Sequence, residues 1–206
     1  MKSVFYVVLR FILWLPAKLI FRVHWKDRGN EPKRADGPYL VCANHQTLLD
    51  VIFLALVLKR QQPHFMAKAE LFRVPVLRWI VRKLGAFPVS RGKGDVGAVK
   101  HAVNLLKSGR SVGMFPQGTR CPEKELRDCR IKYGAGLIAA QAQAQVLPVY
   151  LKMKNRRWKF FRRVDVIVGE PIPFERFAYQ AGVSGEYGRM TEMIYEEICR
   201  LDEANR

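Results

Sequence analysis

The chain has 206 residues, 49% of them hydrophobic, which excludes a disordered segment and suits one domain with a full core plus an appendage. Its 36 lysines and arginines stand against 18 acids, a net charge of +18 that points to an anionic partner: nucleic acid, an acidic membrane surface or a phosphorylated substrate. The four cysteines, Cys42, Cys121, Cys129 and Cys199, include no C-x-x-C pair. Neither a disulfide framework nor a zinc site is therefore expected, which fits a reducing cytosol.

From Val4 to Val23 the chain is mostly apolar and long enough to span a bilayer. Arg10, Pro16 and Lys18 argue against a plain spanning helix, because a mid-bilayer arginine costs about 2.5–3.5 kcal/mol. On a helix Ser3, Arg10, Trp14 and Lys18 fall within one wedge of about 80°, leaving the rest of the surface apolar. Residues 1–23 thus read as a helix lying in the membrane interface, kinked at Pro16, and 24–206 as an α/β domain. Arg10 within the apolar region and the lack of an A-x-A site argue against a cleaved signal peptide.

An edge strand is expected over Arg22–Arg28, followed by a polar loop to Gly37. Strands and helices then alternate: strand 39–43, helix 48–59, strand 64–67, helix 74–84, strand 86–89, helix 94–106, strand 111–115. A polar loop runs to about Arg130, then come helix 132–145, strands 146–151 and 164–168, and a closing helix 187–201. Such alternation implies a mostly parallel central sheet covered by helices on both faces.

In sheets of this kind, sites form at the carboxyl ends of the strands. Four loops there carry unusual chemistry: Asn44-His45-Gln46-Thr47-Leu48-Leu49-Asp50, Lys68 with Glu70, Ser90-Arg91-Gly92-Lys93-Gly94, and Pro116-Gln117-Gly118-Thr119-Arg120. A spacing of five puts His45 and Asp50 about 140° apart on a helix, so they meet only if His45 lies on the turn before it. Asp50 would then hold one ring nitrogen and leave the other as a base. Thr47-x-x-Asp50 equally fits a capping box in which Asp50 only satisfies an end amide. The joint content of the loops is one base, several cations and glycines that admit backbone amides to a ligand. It suits a hydroxyl nucleophile attached to a phosphate, with Lys68, Arg91 and Arg120 as the phosphate cations. Gly92-Lys93-Gly94 lacks the G-x-x-x-x-G-K-[ST] pattern of a nucleotide-binding loop.

Asn-His-x-x-x-x-Asp at 44–50, Gly-Ala-Phe-Pro-Val-Ser-Arg at 85–91, Phe-Pro-Gln-Gly-Thr-Arg at 115–120 and Val-Leu-Pro-Val at 146–149 resemble, in order and spacing, the four blocks of the glycerolipid acyltransferases. Within that family the chain looks most like the bacterial 1-acyl-sn-glycerol-3-phosphate acyltransferases, from about Gly37 to Tyr150. The resemblance implies transfer of a fatty acyl group from a coenzyme A or acyl-carrier-protein thioester to the 2-hydroxyl of lysophosphatidic acid. It assigns His45 as general base, Asp50 as its orienting partner, and Arg91 and Arg120 to the acceptor phosphate. The turn Gln117-Gly118-Thr119 joins these as a substrate-binding element. No metal, cofactor or covalent intermediate is expected, because the thioester is already activated.

One position departs from the family pattern: the third block normally reads Phe-Pro-Glu-Gly-Thr-Arg, and Gln117 stands in for the glutamate. Gln keeps an acceptor oxygen but loses the charge, so another acceptor such as glycerol 3-phosphate or a lyso-aminolipid is an alternative. A second basic cluster, Lys152 to Arg163, interleaves Trp158, Phe160 and Phe161 with cations and reads either as a solvated hairpin tip or as a membrane-interface contact. The expected location is the cytoplasmic face of the cell membrane. Base-recognition motifs are absent and the cations follow the site loops, so nucleic acid is not expected as a partner. A non-catalytic basic membrane-binding module is the remaining alternative.

Overall fold

The strand-forming runs of the sequence assemble into one seven-stranded sheet in the computed structural model, which describes residues 8, 12, 19–26, 30, 37–57, 62–83, 85–90, 95–156, 159 and 161–205. The strands are β1 (Val23–Lys26), β2 (Leu40–Ala43), β3 (His64–Lys68), β4 (Phe87–Val89), β5 (Val112–Met114), β6 (Val146–Met153) and β7 (Val164–Val168). Their order across the sheet is β1-β7-β6-β2-β5-β3-β4. From β6 to β4 every neighbouring pair is parallel, whereas β7 returns antiparallel to β6 and carries the edge strand β1 parallel to itself. Pro148, which has no N–H to donate, sits in β6 just before the antiparallel pairing with β7 begins at Val149.

Helices α1 (Asp50–Val57), α2 (Pro75–Lys83), α3 (Val96–Lys107), α4 (Gly134–Ala142) and α5 (Glu186–Glu203) connect or follow the strands. The alternation of side chains along each strand divides the core in two. Leu40 and Cys42 of β2, Val146 of β6 and Ile167 of β7 pack with α3, α4 and α5. Val41 and Ala43, Leu147 and Val149, and Val164 and Val166 pack with Phe53, Leu54 and Val57 of α1 on the other face. All four residues of β2 are buried, as a central strand covered on both sides requires. The α/β architecture is therefore the one the sequence implies, and each expected strand and helix from residue 22 onward has its counterpart.

Short 3₁₀ turns at Ala69–Phe72, Leu126–Asp128, Lys154–Arg156 and Phe174–Phe177 add detail that hydrophobic periodicity does not reveal. The interface helix expected over 1–23 lies almost entirely outside the described residues. Among those described, Val8, Ile12 and Leu19 are exposed, and no helix is long and apolar enough to cross a membrane. Arg157, Trp158 and Phe160 of the second basic cluster also lie outside the described residues, while Phe161 is exposed between β6 and β7.

One expectation is corrected. Cys121 and Cys129 form a disulfide, while Cys42 and Cys199 are free and buried. Their separation of eight residues matches no short cysteine signature, and only the fold-back of the loop through Leu126–Asp128 brings the two Cα atoms to 6.3 Å.

Candidate active site

Because β2 to β6 run parallel in the centre of the sheet, the loops leaving β2, β3, β4 and β5 share one edge. β2 stops at Asn44, whose side-chain amide takes over the next rung of the ladder. Its Nδ2 donates to the Leu151 carbonyl at 3.1 Å and its Oδ1 accepts from the Leu151 N–H at 2.7 Å. With pairing to β6 completed by a side chain, the backbone at His45 is free to leave the sheet. The loop after β5 then pins it: the His45 N–H donates to Gln117 Oε1 at 2.5 Å, and the His45 carbonyl accepts from the Cys121 N–H at 2.8 Å.

The His45 ring stacks on Phe115, with centroids 4.1 Å apart and planes 13° from parallel. Its Nδ1 lies 2.9 Å from Asp50 Oδ2. The same oxygen accepts the N–H groups of Gln46 at 2.6 Å and Thr47 at 2.8 Å, and Oδ1 accepts the Thr47 hydroxyl at 2.6 Å. Asp50 therefore serves both roles left open by the sequence: it closes the first turn of α1 and holds the imidazole. With Asp50 facing Nδ1, the tautomer that carries its proton on Nδ1 gains a hydrogen bond to the carboxylate and has Nε2 as its acceptor nitrogen. Asp50 is fully buried and His45 only 7% exposed, so the pair is shielded from bulk water.

His45 forms part of the wall of a cavity of about 500 Å³, within the range of small-molecule sites. Val99, Met114, Leu137 and Ile138 give it apolar sides, and Ser90, Asp95, Arg130 and Lys132 bring polar groups to it. Asp95 accepts the N–H groups of Ser90 at 2.8 Å and Ala98 at 2.9 Å, capping α3 and tying its start to the end of β4. These backbone donors hold its carboxyl below the usual range.

The expected site residues are distributed unevenly about this cavity. His45, Asp50 and Gln117 are joined directly by hydrogen bonds. Gln117 is buried, spends its oxygen on the His45 backbone and leaves Nε2 without a hydrogen-bond partner among the described residues. Phe115-Pro116-Gln117-Gly118 is a tight turn closed by the Gly118 N–H on the Phe115 carbonyl at 2.9 Å, with proline at its second position and glycine at its fourth. Gly118 lines the cavity, while Thr119 and Arg120 project from the turn and are exposed. Lys68, at the end of β3, is not among the cavity walls and pairs with Glu70 at 3.1 Å in solvent. Arg91 lies outside the described residues, although its neighbour Ser90 lines the cavity.

Four residues contribute in ways that the sequence motifs did not assign. Asn44 ends β2, Phe115 backs the imidazole, and Arg130 with Lys132 supplies cations to the cavity. The Asn-His order and the aromatic before Pro-Gln-Gly were visible signals, whereas Arg130 and Lys132 belonged to no motif. Among the described residues no three His, Cys, Asp or Glu side chains gather into a metal-holding group.

The family described as Acyltransferase matches residues 24–152. The 1-acyl-sn-glycerol-3-phosphate acyltransferase of Streptococcus pneumoniae is 32% identical over 98% of this chain and 75% of its own length. That of Bacillus subtilis is 32% identical over 86% of this chain and 87% of its own. The lyso-ornithine lipid O-acyltransferase of Pseudomonas aeruginosa is more distant, at 28% over 71% of this chain and 55% of its own. The fold is shared with the 1-acyl-sn-glycerophosphate acyltransferase of Thermotoga maritima, with a TM-score of 0.64 over 100% of this chain and 98% of that one, at 21% identity. By the extent of these matches the chain is an enzyme of the acyltransferase family.

Proposed function

We propose that the protein transfers a fatty acyl group from a coenzyme A or acyl-carrier-protein thioester to the 2-hydroxyl of 1-acyl-glycerol 3-phosphate, forming phosphatidic acid. The observation that carries this reading is the His45 Nδ1 to Asp50 Oδ2 contact of 2.9 Å on the wall of a cavity with apolar sides and cations. In this mechanism His45 Nε2 removes the hydroxyl proton as the oxygen attacks the thioester carbonyl, and Asp50 stabilises the imidazolium that forms. Collapse of the tetrahedral intermediate breaks the carbon–sulfur bond, and the imidazolium returns the proton to the departing thiolate. A positioned base contributes about 10²–10⁴-fold, and alignment of the two substrates adds to it. Apolar side chains suit the acyl chain, whose burial is favourable by about 0.8 kcal/mol per CH₂. Arg91 and Arg120 match the family cations assigned to the acceptor phosphate.

The lipid substrates, the net charge of +18 and the exposed Val8, Ile12 and Leu19 support association with an anionic membrane surface. A second reading, a lyso-aminolipid acceptor, is favoured by Gln117 and by the relative named for lyso-ornithine lipid. The test is thiol release from an acyl thioester with lysophosphatidate, glycerol 3-phosphate and lyso-ornithine lipid as acceptors, for the wild type and Gln117→Glu. The proposal expects lysophosphatidate to be preferred by the wild type. Preference for the lyso-aminolipid, shifted toward lysophosphatidate by the glutamate, would establish the second reading instead.

A further inference from the structure

We propose that Lys132, assisted by Arg130, is a further acceptor-phosphate residue of this site beside Arg91 and Arg120; the inference rests on the acyl-transfer reading above. Both side chains line the cavity that contains His45. They lie on the returning leg of the β5 loop, where residues 130–134 all line the cavity. The leg is held in place by the Lys132 N–H on the Pro116 carbonyl at 2.8 Å. Gly118 makes room for the lysine: a Cβ there would stand 2.9 Å from Lys132 Cδ and 3.4 Å from Nζ. The lysine stem thus lies along the same turn whose Gln117 holds the His45 backbone.

The charge of these residues is uncommitted. Arg127, Arg163, Arg189 and Arg200 each pair with a carboxylate, and so does Lys68. Lys132 and Arg130 have no acidic partner among the described residues. Two unpaired cations at a cavity with a shielded imidazole are placed to meet an anion.

Covalent geometry decides which substrate supplies that anion. In a glycerol 3-phosphate the phosphorus is four bonds from the 2-hydroxyl oxygen, so the two lie within about 6 Å of each other. A phosphate whose neighbouring hydroxyl meets His45 must therefore sit in the same cavity. The phosphates of either thioester donor are separated from the sulfur by a pantetheine arm of roughly a dozen bonds, which when extended carries them about 15 Å away. Cations in the cavity that His45 lines suit the acceptor, and they select it over an uncharged monoacylglycerol.

The test is binding of 1-acyl-glycerol 3-phosphate and of uncharged 1-acylglycerol to the full chain without donor, for the wild type, Lys132→Met and Lys132→Arg, alongside turnover. Methionine keeps the length of the stem and removes the charge. The expected result is roughly 10- to 100-fold weaker binding of the phosphate ester by Lys132→Met, recovery in Lys132→Arg, and no comparable change for the uncharged lipid. Equal losses for both lipids, unchanged binding of the phosphate ester, or an effect confined to the KM of the thioester would overturn the proposal. A wild type that binds lysophosphatidate through Lys132 but acylates another acceptor faster would refute the substrate assignment and leave the phosphate site standing.

Discussion

Replacing Asp50 by asparagine separates the carboxylate's charge from its shape. Asp50 accepts four hydrogen bonds, from His45 Nδ1, the backbone N–H groups of Gln46 and Thr47, and the Thr47 hydroxyl. An asparagine oxygen in the position of Oδ2 retains three of these donors, and its amide faces the Thr47 hydroxyl, which can rotate to accept. Bonds to a charged group are worth about 1.5–3 kcal/mol and neutral ones about 0.5–1.5 kcal/mol, so the substitution weakens each of the three by about 1 kcal/mol. A loss of about 3 kcal/mol lowers the Tm of a domain this size by about 6–12 °C. Catalysis suffers more, because the imidazolium formed as the hydroxyl attacks loses its counter-charge. The kcat/KM should fall about 10²–10⁴-fold, measured by thiol release with lysophosphatidate well below the melting transition. Thr47→Val is the control, since it removes one contact to Asp50 and leaves the imidazole contact in place. If Asp50→Asn kept activity within about threefold of wild type, or if Thr47→Val lost as much, the orienting role of Asp50 would be wrong.

Gln117→Ala should destabilise the protein by about 1–3 kcal/mol in denaturant titration, because the buried His45 N–H loses its acceptor; no change would show that this bond carries no weight. Gly136→Ala should cost about 1–3 kcal/mol or more, since the new Cβ would meet the Tyr187 carbonyl at 2.1 Å where α4 crosses α5. A variant as stable as wild type would mean that these helices separate freely. The Arg189 guanidinium and the Gln180 N–H hold the Glu186 carboxyl down to about 2, against an ordinary 4.5. A depressed folded-state value means that the stabilisation is fully present above pH about 4.5 and is lost as pH falls toward about 2. Glu186→Gln should flatten the stability–pH curve in that window, and a slope equal to wild type would contradict the clasp.

The fold was legible because each strand of the parallel core is a short apolar run followed by a polar loop and a helix. The antiparallel return of β7 onto β6 was implied only by the hairpin-tip reading of Lys152–Arg163, one of two readings that the basic cluster allowed. At the site, His45 and Asp50 are five residues apart; helix geometry allowed their meeting only with His45 on the turn before α1, and a capping role for Asp50 fitted the sequence equally well. The Asn44–Leu151 pairing spans 107 positions and depends on sheet order, so nothing near Asn44 announces it. Lys132 illustrates the same limit. Its place in the cavity depends on a loop folding back onto Gly118, and in sequence it is one basic residue among 36. Lys68 shows a different limit: it stands at the end of a strand as expected, and there it pairs with Glu70 in solvent.

The most direct measurement of the central claim is phosphatidic acid formation from an acyl thioester and lysophosphatidate by His45→Ala, with lysophosphatidate binding measured on the same sample. With His45 as the base, product formation falls by at least about 10²–10⁴-fold while the acceptor still binds. A variant that binds the acceptor and forms product within about threefold of the wild-type rate would show that another group removes the proton.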